Sequence, residues 1–303
     1  MVAERPHPGL IIAAFAALYV IWGSTYLAIA LAVTTLPPFL MAGTRFVVAG
    51  TILFTCMRLR DEPRPTRRQW RSALVVGLFL LLGGNGGVCW AARWVPSGTI
   101  SLMLATVPLW MAVLPWIVGK GPRPRLLVAI GIAIGLSGVA LLSWSIPGGL
   151  DRARAIAIAV LFAAALAWAI GSLSSKRLPQ PKSALMASSM QMLCGGLALL
   201  AVGLAMGEGS HFTPGKASAT SWLALGYLIV FGAIVGFGAF VFLLRWSTPT
   251  RVATYAYVNP VVAVILGWAL NGETVTWRTL AAGLLVIIAV VLIVTTKERE
   301  DAG

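Results

Sequence analysis

Ten apolar runs, each about as long as one bilayer crossing needs, dominate this chain. A helix rises about 1.5 Å per residue and the hydrocarbon core is about 30 Å thick, so roughly 20 apolar residues make one passage. The runs cover residues 10–32, 37–57, 73–92, 97–119, 125–144, 154–175, 183–206, 220–244, 248–270 and 277–296, leaving no room for a soluble domain. The first run is longer than a secretory apolar core and lacks a small-x-small cleavage site, so it is expected to remain as a spanning helix. With 59% hydrophobic residues, 11% charged residues and a mean hydropathy of +0.90, one water-soluble core cannot hide the apolar surface. The expected class is an all-α, polytopic membrane protein with ten transmembrane helices.

The runs form two sets of five. The segment from Arg93 to Lys120 recurs 152 positions on, carrying Arg93-Trp94 onto Arg245-Trp246, Pro108 onto Pro260 and Trp116 onto Trp268. The first and sixth runs match at an offset of 148, Ala16-Ala17-Leu18 with Gly23-Ser24 against Ala164-Ala165-Leu166 with Gly171-Ser172. Five crossings is an odd number, so a second copy enters the membrane from the opposite side. The expectation is two inverted repeats, residues 1–147 and 148–303, joined through Ser145–Asp151 within one membrane domain, with a binding site near the midplane. Pro108, Pro115 and Pro260 fall inside apolar runs. An interior proline is often an ordinary membrane kink, but the recurrence of Pro108 at Pro260 favours a paired structural and gating role.

A net charge of +14 would suggest nucleic acid in a soluble protein, yet here the placement matters more. Of the 23 Lys and Arg residues, 17 lie in the tails and loops on the N-terminal side, 5 on the other side, and Arg45 lies inside the second run. The positive-inside rule then puts both termini in the cytoplasm. Nucleic acid is not an expected partner; membrane lipids and a small-molecule substrate are, with the protein a monomer or a weak homodimer. Cys56, Cys89 and Cys194 are far apart in sequence and without metal-ligand spacing, so neither a disulfide framework nor a metal site is expected, and no cofactor is called for.

All nine acidic residues and both histidines fall in loops, tails or run ends. An intramembrane hydrolase lacks its base or metal ligands, and a proton-driven drug antiporter lacks its buried acid, so no enzyme is expected. A carrier of nucleotide sugars or phosphates would want several cations at depth, whereas Arg45 stands alone. Arg45 lies eight residues past Pro37. Two readings stay open for it: it ties loops together at the outer mouth with Glu273 as partner, or it meets a substrate carboxylate.

The remaining polar and aromatic groups at depth are the candidate substrate contacts. They are Trp22, Ser24, Thr25 and Tyr26 in the first run, Asn85 and Trp90 in the third, Met103, Thr106 and Trp110 in the fourth, Trp168 in the sixth, and Tyr255 and Asn259 in the ninth. Plain packing against lipid or other helices accounts for many such aromatics, but those beside polar residues suit a cavity. A site with indole, phenol, hydroxyl and amide groups and few charges fits a small molecule with an apolar body and a hydrogen-bonding head. Large neutral amino acids, aromatic ones and methionine among them, are of that kind. Other small amphiphiles handled by a multidrug or metabolite carrier are the alternative, and a lipid scramblase or flippase a weaker one.

Trp22-Gly23-Ser24-Thr25, Arg45-Phe46, Asn259-Pro260 and Gly272-Glu273 leading into Gly283, in that order, resemble the EamA-type branch of the drug/metabolite transporter superfamily over nearly the whole chain. The resemblance implies an exporter or uniporter of small metabolites in a bacterial inner membrane. It also implies a central cavity among the first, third, fourth, sixth, eighth and ninth helices, with the fifth and tenth at the periphery. Within the branch the chain is similar to YddG-like amino-acid exporters.

Overall fold

The computed structural model describes residues 6–119, 126–144, 151–252 and 254–302; the boundary expected at 147/148 and the linker up to Leu150 lie outside them. The described residues are helical, with no strand among them. The longer helices are α1 Pro8–Ala32, α2 Pro38–Leu59, α3 Arg67–Ala91, α4 Ser97–Ile117, α5 Leu126–Trp144, α6 Arg152–Arg177, α7 Ala184–Ala205, α8 Ala219–Trp246, α9 Tyr255–Asn271 and α10 Trp277–Ala302. Seven of them, α1 to α4 and α6 to α8, are long and apolar enough to cross a membrane. The other three carry the shorter apolar helices Leu126–Gly138, Val258–Asn271 and Trp277–Leu292.

Local chemistry sets the helix starts. Thr66 and Gln69 form a reciprocal capping box at α3, and Ser183, Ser218 and Asp151 each accept an early N–H of α7, α8 and α6. The α3 cap begins the helix at Arg67 rather than at the expected residue 73, because a polar first turn still satisfies its backbone. α2 runs along α7 and α5 along α10, while α1 packs against α8 and α9 and α6 against α3 and α4. Large apolar side chains point outward on nearly every helix, Ile12, Ile52, Leu197, Leu223, Ile265 and Leu280 among them. So broad an apolar exterior is stable only in a hydrocarbon solvent.

Two helices depart from α geometry at matching places. Leu78–Gly86 of α3 and Leu228–Phe237 of α8 wind as π-helix, each through a glycine-rich stretch where wider turns cost little side-chain packing. α4 breaks at Ala105-Thr106, so Pro108 is the second residue of a new segment, Val107–Ile117. Its missing N–H would have been unpaired there in any case. The expected pair of mid-helix prolines is thereby corrected: Pro260 is interior to α9, and Pro108 stands at a helix start.

Candidate functional site

The long axis of α1 organises the site. Trp22, Thr25, Tyr26 and Ile29 recur every three or four residues and face one narrow cavity of about 50 Å³. Arg45 and Phe46 of α2, Gly84, Asn85 and Val88 of α3, Trp168 of α6, Phe237 of α8 and Tyr255 complete most of the wall.

An aromatic cage forms one side. Trp22 meets Trp168 and Tyr255 edge on, each with ring centroids 5.4 Å apart, and leans on Phe240 at 5.0 Å. Such pairs add about 0.5–1.5 kcal/mol each beyond the area they bury, so the cage is rigid as well as apolar. Glycine makes the close approach possible. A Cβ on Gly236 would lie 2.6 Å from Trp22 Nε1, and one on Gly84 would lie 2.7 Å from Trp168 Cε3.

Arg45 is 3% exposed, with its Cζ 4.3 Å from the centroid of the Phe46 ring. Its Nε and Nη1 reach no hydrogen-bond partner among the described residues. The expected pairing with Glu273 is overturned. Glu273 accepts from Ser97 N at 3.0 Å, Ser97 Oγ at 2.7 Å, Gly98 N at 3.2 Å and Asn271 Nδ2 at 3.3 Å, so it caps α4. The cause is local: Gly272 takes φ 64°, a left-handed turn that ends α9 and swings the next carboxylate onto the positive end of α4. An arginine at membrane depth costs about 2.5–3.5 kcal/mol on insertion scales, and here no carboxylate among the described residues offsets it.

The other expected contacts lie outside the cavity wall. Ser24 Oγ donates to Ile21 O at 2.7 Å and shares a 2.6 Å hydrogen bond with Tyr227 Oη. Trp90 lies 4.5 Å from Trp94, and Trp110 packs edge on against Phe162 at 5.0 Å. Met103 and Thr106 are buried, with Thr106 Oγ1 donating to Met103 O at 2.7 Å. Asn259 is buried, and with its amide nitrogen turned toward the neighbouring carbonyls it donates to Tyr19 O at 3.0 Å and Tyr255 O at 3.3 Å, tying α9 to α1.

Several groups that sequence reasoning missed frame the cavity. Tyr19 and Thr254 share a 2.6 Å bond on one side of it. Toward the other end of α1, Ser221 Oγ bonds Thr34 at 3.0 Å, Thr35 at 2.8 Å and Leu31 O at 2.9 Å. Glu208 accepts from Phe39 N at 3.3 Å and Leu40 N at 2.9 Å at the start of α2, as Glu273 does for α4. Helix-cap logic was the available signal for Glu208, and the three-residue spacing of Phe237 and Phe240 was the signal for the cage. Among the described residues no group of three or more His, Cys, Asp or Glu is placed to hold a metal ion.

The EamA-like transporter family model matches this chain twice, over residues 8–144 and 155–295. The chain is 38% identical over 282 residues to the uncharacterized inner membrane transporter YedA of Escherichia coli K12, covering 93% of this chain and 89% of the relative. It is 28% identical over 274 residues to a probable amino-acid metabolite efflux pump of Salmonella typhimurium LT2, covering 88% and 89%. One solved crystal structure superposes with a TM-score of 0.67 at 18% identity, covering 97% of this chain and 99% of that one, so the helical fold is shared. An apolar exterior, helices of spanning length and a family match across both halves lead to one conclusion: the chain belongs to the EamA-like transporter family.

Proposed function

We propose that the protein carries large neutral amino acids, aromatic ones and methionine among them, across the inner membrane by alternating access through the cavity beside Trp22. The observation that carries this reading is the wall itself, an aromatic cage facing Thr25, Tyr26 and Asn85. Aromatic faces hold an apolar body while hydroxyl and amide groups meet a polar head. Trp22, Thr25, Tyr26, Asn85, Trp168 and Tyr255 are the substrate contacts; Asn259 holds the α1–α9 seam behind them. The Salmonella relative, a probable amino-acid metabolite efflux pump, supports an amino-acid cargo.

The proposed frame is ten crossings in two inverted halves with both termini cytoplasmic. The π-helical segments at equivalent places, the reciprocal packing of α1 and α6, and the twofold family match support the halves. The basic residues, 17 against 5, support the orientation. Hydrogen bonds on both sides of the cavity, Tyr19 to Thr254 and Thr35 to Ser221, are the natural places for opening.

The deciding experiment is counterflow in liposomes. Purified protein preloaded with unlabelled phenylalanine or methionine should draw in the labelled form, while a dithionite assay shows no lipid scrambling. Exchange of other amphiphiles without amino acids would favour the broader metabolite carrier, and scrambling would overturn the transporter mechanism.

A further inference from the structure

We propose that Arg45 anchors a carboxylate of the transported molecule, so that the substrate class is small apolar or aromatic carboxylates in which an amine is dispensable. This rests on the transport reading above and narrows it. Three observations converge. Among the described residues Arg45 is the one charged side chain in the cavity wall, and it is almost wholly buried. Its Nε and Nη1 have no partner among the described residues, although guanidinium is a planar fork suited to a carboxylate's two oxygens. The acid the sequence offered it, Glu273, is committed to the start of α4.

The opposite charge has no such receptor. Among the described residues no Asp or Glu lines the cavity, so an ammonium group would meet ring faces and the neutral hydroxyl and amide groups of Thr25, Tyr26, Tyr255 and Asn85, with no counter-charge. Buried charge that stays unpaired is retained at a cost unless a ligand completes it, and an anion does so where a cation would repel the guanidinium. The aromatic cage then measures the body of the molecule, and Arg45 reads its head.

The test compares three probes with one ring and different heads: phenylalanine, 3-phenylpropionate and phenylalaninamide. In wild-type protein, phenylalanine and 3-phenylpropionate should compete for labelled phenylalanine exchange, and the amide should be weaker by roughly tenfold or more, the loss expected for a charge-assisted hydrogen-bonded pair. Arg45→Gln should erase the preference for acid over amide, and Arg45→Lys should restore part of it. Binding is read independently, in detergent, from quenching of the cavity indoles by 3-phenylpropionate and by its neutral amide. If wild-type protein binds the acid selectively yet exchanges nothing, the transport reading falls and the Arg45 assignment stands. If acid and amide bind alike in wild-type protein, or Arg45→Gln keeps the preference, the assignment is overturned; poor folding of that variant leaves the wild-type comparison decisive.

Discussion

The indoles of Trp22 and Trp168 meet edge on, centroids 5.4 Å apart and planes at 82°, and each rests on a glycine of the π-helical segment beside it. Trp22 lies over Gly236 of α8 and Trp168 over Gly84 of α3. The two halves of the chain thus meet at the cavity through the same device, a large ring seated where a neighbouring helix has no side chain.

A methyl group at either glycine should disturb the cage. Gly84→Ala and Gly236→Ala place a carbon 2.7 Å from Trp168 and 2.6 Å from Trp22, contacts that force the rings to move. Overpacking of this kind costs about 1–3 kcal/mol, so thermal midpoints in detergent should fall while exchange drops further. Variants that exchange normally would show that the rings do not shape the transport path.

Trp22→Ala and Tyr255→Ala should lower melting through lost ring contacts and lower exchange of aromatic substrates well beyond that, since both rings also face the cavity. Asn259→Ala should differ, because its amide bonds the Tyr19 and Tyr255 carbonyls rather than the open space. Loss of those bonds costs about 1–3 kcal/mol of stability and loosens the α1–α9 seam. Comparing melting with initial exchange rates separates the two behaviours, and normal transport by all three variants would remove the cavity assignment.

Much of this arrangement was readable from residues alone, and the remainder was hidden for physical reasons. Trp22 and Thr25 stood out because an apolar run rarely carries indole, two hydroxyls and phenol within five residues, and they do face the cavity. Trp90, Trp110 and Met103 looked equally suitable, but a helix's facing depends on neighbours far away in sequence, and these turn toward Trp94, Phe162 and the protein core. The pairing of Arg45 with Glu273 failed for a similar reason. The charge pattern put both on one side of the membrane, yet Gly272 aims the carboxylate at the unpaired N–H groups of α4 instead. Gln191, wholly buried on α7 and donating to Gln180 at 3.4 Å, drew no notice among methionines and glycines. π-helical winding leaves almost no mark on hydrophobic periodicity, so the residues alone carry no expectation of it in α3 or α8.

Glu273→Ala should destabilise the protein by about 1–3 kcal/mol, the usual effect of removing a charged acceptor from partly buried donors. Ser97 N, Ser97 Oγ and Gly98 N would lose their acceptor together. Glu273→Gln should retain part of the bonding and fall in between. A Glu273→Ala variant that melts like the wild type would mean that water replaces the cap at no cost.

A reporter active only in the periplasm, fused after Gly303, should give no signal, and one active in the cytoplasm should. The expectation rests on the excess of Lys and Arg in alternate loops, 17 against 5. The opposite pattern would invert the orientation and place Arg45 toward the cytoplasmic side.

Transport should not depend obligatorily on protons. Among the described residues no carboxylate or imidazole lines the cavity, and Glu208 and Glu273 are engaged with the first turns of α2 and α4. A proton-coupled carrier needs a group that exchanges a proton for substrate within the path, and the cavity offers only an arginine, which stays charged, and neutral aromatic and amide groups. Sealed vesicles with an acid-inside or acid-outside gradient should therefore bring labelled phenylalanine to the same level on both sides and no further. Accumulation several-fold above equilibrium, abolished by a protonophore, would refute facilitated transport; retention of that accumulation in Glu208→Gln and Glu273→Gln variants would place the proton site elsewhere in the chain.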